Sequence, residues 1–114
     1  DDERFAKNLE KTVEQMKNND VAGIITCGTS YEGSENALKM CEKFDIMYAA
    51  VGVYPHETHK TPFNAEKLEQ LAKHKKCVAI GEIGLDYYYD DSPRQTQSRK
   101  FRYAHDKNLF ARHP

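Results

Sequence analysis

The chain is predicted to be an α/β domain with a parallel sheet, and three observations lead there. Amphipathic helical segments alternate with short, nearly continuous apolar runs. Each apolar run is short and ends at glycine, proline or acidic residues. The runs begin roughly 25 to 30 residues apart, the spacing of βαβ units. Right-handed crossovers between parallel strands then leave two architectures, an open doubly wound sheet or part of a (β/α)8 barrel. A complete barrel needs about 250 residues, and 114 residues supply at most about half of one.

The first helix is expected over residues 5–18, where Phe5, Leu9, Val13 and Met16 share one stripe. Residues 21–28 (VAGIITCG) are apolar and β-branched, as in a strand buried on both faces. Ala37, Leu38, Cys41 and Phe44 mark a second helix, with Ser34 as its N-cap and Glu35 near the positive end of its dipole. Residues 46–54 (IMYAAVGVY) form the next strand and stop at Pro55. Asn64 caps a third helix through Leu68, Leu71 and Ala72, whose last turn carries Lys73, Lys75 and Lys76 as a solvated basic end. Residues 77–85 (CVAIGEIGL) form the third strand. Ser92, Pro93 and Gln95 then fit a capping box opening a fourth helix.

A formal charge of −1 provides no global basic field for nucleic acid, so any such contact must be local or metal-mediated. No apolar run is long enough to cross a membrane, and the acidic, polar start does not read as a signal peptide. A soluble, cytoplasmic protein is expected. Three widely spaced cysteines, Cys27, Cys41 and Cys77, read as reduced core residues.

Glu82 is the most informative residue. A carboxylate inside an apolar run is costly to bury unless a cation or hydrogen-bond donors meet it, and the carboxyl ends of parallel strands carry the sites of such folds. The alternative is a glutamate at the strand exit, solvated or paired with a lysine. Gly81 and Gly84 leave room beside it for a ligand, or mark strand irregularity. Asp86 is a turn residue or the hydrogen-bonding orienter of a ligand group. His56 and His59 follow the second strand and could meet a metal or a phosphate, or be solvated loop histidines. Tyr87, Tyr88 and Tyr89 offer a stacking surface for bases or simply pack. The Gly28-Thr29-Ser30 turn could hold an anion but completes no phosphate-binding motif.

The segments VGVYPHE and VAIGEIGLDYYYDDSPRQTQ together resemble the TatD family of metal-dependent deoxyribonucleases, with DDERFA and IITCGTS extending the likeness over nearly the whole chain. The resemblance implies a partial (β/α)8 TIM-like barrel of three to four parallel strands with flanking helices. It implies residues 1–114 as a single partial barrel domain, without the first strand and the C-terminal half. It further implies one or two divalent metal ions, Mg or Mn or else Zn, and DNA phosphodiesters as substrate. By motif position Glu82 matches the family's metal-binding glutamate. His56 matches the second histidine of its H-P-H segment, a catalytic position near the scissile phosphate, while Tyr54 replaces the first histidine. The histidine pair of the family's first strand would precede Asp1, and its later ligands would follow Pro114.

The fourth helix reads as about one turn shorter than in the family. Residues 110–114 (FARHP) stand where an apolar fifth strand is expected, and a one-base shift of a gene reading for them gives the start of Leu-Pro-Val-Ile. A shifted frame or chance codon compatibility accounts for that. The resemblance therefore implies a hydrolase of DNA that is inactive or weak over these residues alone. The non-enzymatic alternative is a half-barrel remnant that binds protein or forms a homo-oligomer through exposed sheet edges. A metal-dependent barrel hydrolase of a small molecule is the third reading.

Overall fold

The structure is a computed structural model that describes residues 8–89 and 92–106. Helix α1 (Leu9–Asn18) keeps the expected stripe and buries Val13; Phe5 and the residues 110–114 discussed above lie outside the described residues. Asp20 turns the chain with a φ of 61°, a left-handed conformation that aspartate tolerates better than most residues. Strand β1 (Ile24–Cys27) follows.

Helix α2 (Tyr31–Cys41) starts earlier than its spacing suggests. Ser30, not Ser34, is the N-cap: its extended backbone lets the side chain accept the Gly33 N–H at 3.0 Å. Ser34 lies inside the helix, fully buried, and its hydroxyl accepts the Gly52 N–H at 3.1 Å and donates to the Gly52 carbonyl at 3.2 Å. Glu35 correspondingly sits beyond the first turn and pairs with Lys67 at 2.8 Å.

Strand β2 (Met47–Val51) ends three residues before the predicted boundary at Tyr54. The Ser34 hydroxyl occupies both backbone groups of Gly52 and so replaces the ladder there. A Cβ on Gly52 would also lie 2.8 Å from the Gly81 carbonyl carbon and oxygen, so only glycine fits this backbone approach. A short 3-10 turn (Pro55–Glu57) follows. Helix α3 (Ala65–Ala72) is capped by Asn64, which accepts the Lys67 N–H at 3.0 Å as expected. Lys73 is its C-cap, while Lys75 and Lys76 fall beyond the helix. Lys76 is no freely solvated end: its Nζ donates to the Phe44 and Asp45 carbonyls at 2.9 and 3.0 Å and lies 4.7 Å above the Tyr48 ring.

Strand β3 (Cys77–Ile80) is likewise shorter than predicted, which leaves Glu82 in the segment after the strand. Helix α4 (Arg94–Asp106) begins just after Pro93. The three strands are parallel in the order β1-β2-β3, with an irregularity between Ala49 and Ala50 where β2 meets β3. Helix α2 packs on β1 and β2, and α3 on β2 and β3. Val13, Leu38, Ala49, Val51, Leu68 and Leu71 belong to the resulting core.

The expectation that β1 is buried on both faces fails. Ile25 is 59% exposed, and its register partner Tyr48 on the same face is exposed too. Adjacent parallel partners point the same way, so among the described residues helices cover the face carrying Met47, Ala49 and Val51. Cys27 shares the open face and is exposed. Cys41 and Cys77 are buried, and burial raises the pKa of both thiols. Among the described residues no helix is long and apolar enough to cross a membrane.

Candidate functional site

Parallel strands bring their carboxyl ends to one edge of a sheet, and here the segments leaving β2 and β3 meet there. A Cβ built on Gly84 would lie 4.0 Å from Pro55 Cγ, so the chain after Glu82 runs alongside the 3-10 turn. The next polar residue, Asp86, reaches His56: the two side chains meet at 2.5 Å through Asp86 Oδ2 and His56 Nε2. An ionised carboxylate only accepts, so Nε2 carries the proton. The other carboxylate oxygen accepts the Tyr88 and Tyr89 N–H groups at 3.0 and 3.3 Å. The hydrogen bond from His56 is the main cause that holds the Asp86 carboxyl below its ordinary pKa; partial desolvation opposes it, and the two tyrosine amides assist.

Aromatic rings enclose the histidine. Tyr54 and Tyr89 meet it edge-on at centroid distances of 4.8 and 5.1 Å, and Tyr88 meets Tyr89 at 4.9 Å. The side chains of His56 and Asp86 are 21% and 24% exposed, open enough for a ligand to reach and enclosed enough to hold one geometry. Tyr88 is 87% exposed, and the Arg94 guanidinium lies 4.5 Å above the Tyr87 ring.

A second set of bonds fixes the backbones of both loops. The Ser92 hydroxyl donates to the His56 carbonyl at 2.9 Å. Its single proton is then used, so it accepts from the His59 N–H at 3.1 Å and from His59 Nδ1 at 2.8 Å. Gln97 accepts the Asp86 N–H at 2.7 Å and donates to the carbonyls of Asp86 and Ser92 at 3.1 and 2.9 Å. Lys100 Nζ donates to the Thr61 carbonyl at 2.7 Å, and burial lowers its pKa to about 8.

The residues singled out in the sequence divide accordingly. His56 and Asp86 are brought into contact, with Asp86 orienting the ring. His59 is tied to Ser92 and points its bonding capacity at the loop. Glu82 is exposed, so the cost of burying its charge does not arise: β3 ends at Ile80, before it. Among the described residues no group of three or more His, Cys, Asp or Glu side chains converges, so the residues present do not fit a complete metal centre. Sequence reasoning missed Gln97 and Lys100 and gave Ser92 a capping role, whereas its hydroxyl bonds the loop after β2. The available signal was the polar pair Gln97 and Lys100 at helical spacing with Ala104 on α4, all three of which are buried.

Comparison with known proteins agrees with the motifs gathered at this edge. Residues 1–107 match the family described as TatD related DNase. The chain is 36% identical over 101 residues to the uncharacterized metal-dependent hydrolase YabD of Bacillus subtilis, covering 88% of this chain and 40% of that protein. It is 32% identical over 100 residues to the 3'-5' ssDNA/RNA exonuclease TatD of Salmonella typhimurium, covering 87% and 38%. Against the protein of that name in Escherichia coli it is 31% identical over 111 residues, covering 93% and 43%. The chain thus spans about two fifths of the length of these relatives. With the VGVYPHE and GEIGLDYYY segments forming the loop edge just described and the family match running from residue 1 to residue 107, the chain belongs to the TatD family, and its three parallel strands with flanking helices are part of a TIM-type barrel.

Proposed function

We propose that this chain contributes one side of the active site of a metal-dependent hydrolase that cleaves phosphodiester bonds in DNA, working in the cytoplasm. The observation that carries the reading is the His56–Asp86 pair, held at 2.5 Å at the carboxyl end of two parallel strands. Such a pair presents a ring of fixed orientation to an incoming phosphate. The names of the relatives, a metal-dependent hydrolase and exonucleases of ssDNA and RNA, support the same reading.

In this reading His56 contacts the scissile phosphate and Asp86 keeps its ring in place. Glu82, exposed in the segment that leaves β3, offers one carboxylate to a divalent cation, Mg or Mn or else Zn. Such a cation, when bound, acidifies water and stabilises charge on the phosphate. Its other ligands belong to strands outside residues 1–114, which form a single partial barrel domain. These residues by themselves are therefore inactive or weak.

The test is titration of the isotope-labelled 114-residue chain with Mn2+ and, separately, with a short single-stranded oligodeoxynucleotide. Paramagnetic broadening should centre on Glu82 and disappear in Glu82→Gln, and the oligonucleotide should shift the ring signals of His56. Broadening that ignores the substitution, with His56 signals unmoved, overturns the reading. Robust Mg2+- or Mn2+-dependent cleavage of labelled single-stranded DNA, abolished in Glu82→Gln, would keep the site and overturn the expected inactivity.

A second reading rests on Ile25, 59% exposed on the open face of β1. Within the described sheet β1 pairs only with β2, and an apolar edge of this kind favours self-association. Sedimentation at micromolar concentration distinguishes a homo-oligomer formed there from a monomer.

A further inference from the structure

We propose that Gln97 is a positioning residue for the His56–Asp86 pair, acting from α4 through the backbones of the two loops that carry it. The side chain is fully buried, with 0% exposure, and all three of its hydrogen bonds go to main-chain atoms. Two of them grip both the N–H and the C=O of Asp86, so the planar amide admits one orientation of that residue. The third reaches the Ser92 carbonyl, and the Ser92 hydroxyl in turn holds the carbonyl of His56. Two of the contacts on His56, from Asp86 to its ring and from Ser92 to its backbone, thus lead back to Gln97.

Energetics point the same way. A buried amide exchanges water hydrogen bonds for protein ones and gains little net stability, whereas any unmet donor or acceptor there is costly. An apolar residue at this position of α4 would suit a helix that only packs. Helix α4 instead turns Gln97 and Lys100 toward the loops, with Lys100 bonded to Thr61 beyond the His56 turn. What these polar groups supply is placement of loop backbone. That His56 meets a phosphate rests on the function proposed above; that Gln97 places it does not.

The experiment follows the Nε2–H resonance of His56 in the 15N-labelled chain, assigned by its loss in Asp86→Ala and referenced to His74, which pairs with Glu42 elsewhere. Unfolding midpoints are measured in parallel, and spectra are taken where each variant is fully folded. Gln97→Leu should lose the hydrogen-bonded resonance or move it to the position of a free imidazole, with the His74 signals unchanged. Gln97→Glu keeps an acceptor for the Asp86 N–H but no donor, and should shift the resonance part of the way. An unaltered His56 resonance in folded Gln97→Leu overturns the proposal, whatever the change in midpoint. If Gln97→Leu does not fold, an unaltered resonance in Gln97→Glu overturns it equally, and a partial shift supports it. An oligonucleotide that leaves His56 unmoved and Mn2+ broadening that ignores Glu82→Gln, together with a displaced resonance in the Gln97 variants, defeat the proposed function and leave the positioning role standing.

Discussion

The two sides of this sheet edge are held by different physics. Between α2 and β2 the buried side chains include Ala37, Leu38, Cys41, Ala49 and Val51, which contribute by removing apolar area from water, with Ser34 as a polar exception bonded to Gly52. Between α4 and the loops the buried side chains are Thr58, Ser92, Gln97 and Lys100, each bonded to main-chain atoms of the loops. The apolar layer is non-directional and supplies most of the stability. The polar layer is directional, contributes little net stability per bond, and determines where two loop backbones stand. A site that needs a histidine ring in one orientation requires the second kind of contact beside the first.

Breaking the apolar layer should have the largest effect on stability. Leu38→Ala removes a fully packed side chain and should cost about 3 kcal/mol in urea denaturation, while a folded sample keeps the His56 Nε2–H resonance. Loss of that resonance in the folded variant would show that the two layers are not separable. Lys100→Met tests the polar layer more gently. The Lys100 ammonium has its pKa lowered to about 8 from 10.5, so between those values the unfolded chain binds more protons and wild-type stability rises with pH relative to the variant. Below about pH 8 both states are protonated and the difference should be flat. Cys41 and Cys77 titrate in both proteins and cancel in the comparison. A difference curve without slope across this window would remove the argument for a buried charge.

The apolar layer was legible in the sequence because it is periodic. Helical stripes and short apolar runs located α1 to α3 and the three strands, the capping pattern at Ser92 and Pro93 located α4, and Asn64 caps α3 where expected, whereas the 3-10 turn Pro55–Glu57 carried no such signal. Strand ends were not legible, since the apolar runs continue past Val51 and Ile80 while the ladder does not; Ser34, distant in sequence, displaces it at Gly52. The polar layer was almost invisible. Ser92 meets His56 across 36 positions and Gln97 meets Asp86 across 11, and no local pattern encodes such pairs. Asp86 was weighed as an orienting group and is in contact with His56. The apolar flanks of Glu82 suit either a buried charge that meets a cation or a glutamate solvated at the strand exit; the strand ends before it and leaves it exposed, as in the second of these.

Asp86→Asn should give the smallest effect and the sharpest comparison of the two layers. The wild-type carboxyl is held below its ordinary value of 3.8, chiefly by the bond from His56. Its contribution is therefore present above that value and is lost as pH falls through the depressed folded pKa, because the unfolded chain takes up its proton first. The stability advantage of wild type over Asp86→Asn should shrink on acidification from about pH 5 to below the folded pKa, read as a converging pair of urea midpoints. The difference should be small at every pH, since water reaches the carboxyl and screens it, and the asparagine oxygen can still accept the Tyr88 and Tyr89 amides. The His56 ring resonance should move by far more than the midpoints, because the ring loses a charged acceptor while the loop keeps its Gln97 clamp. A substitution that unsettles the ring while barely touching stability is the signature of a layer built for geometry; midpoints that fall as far as those of Leu38→Ala would show instead that this carboxylate belongs to the core.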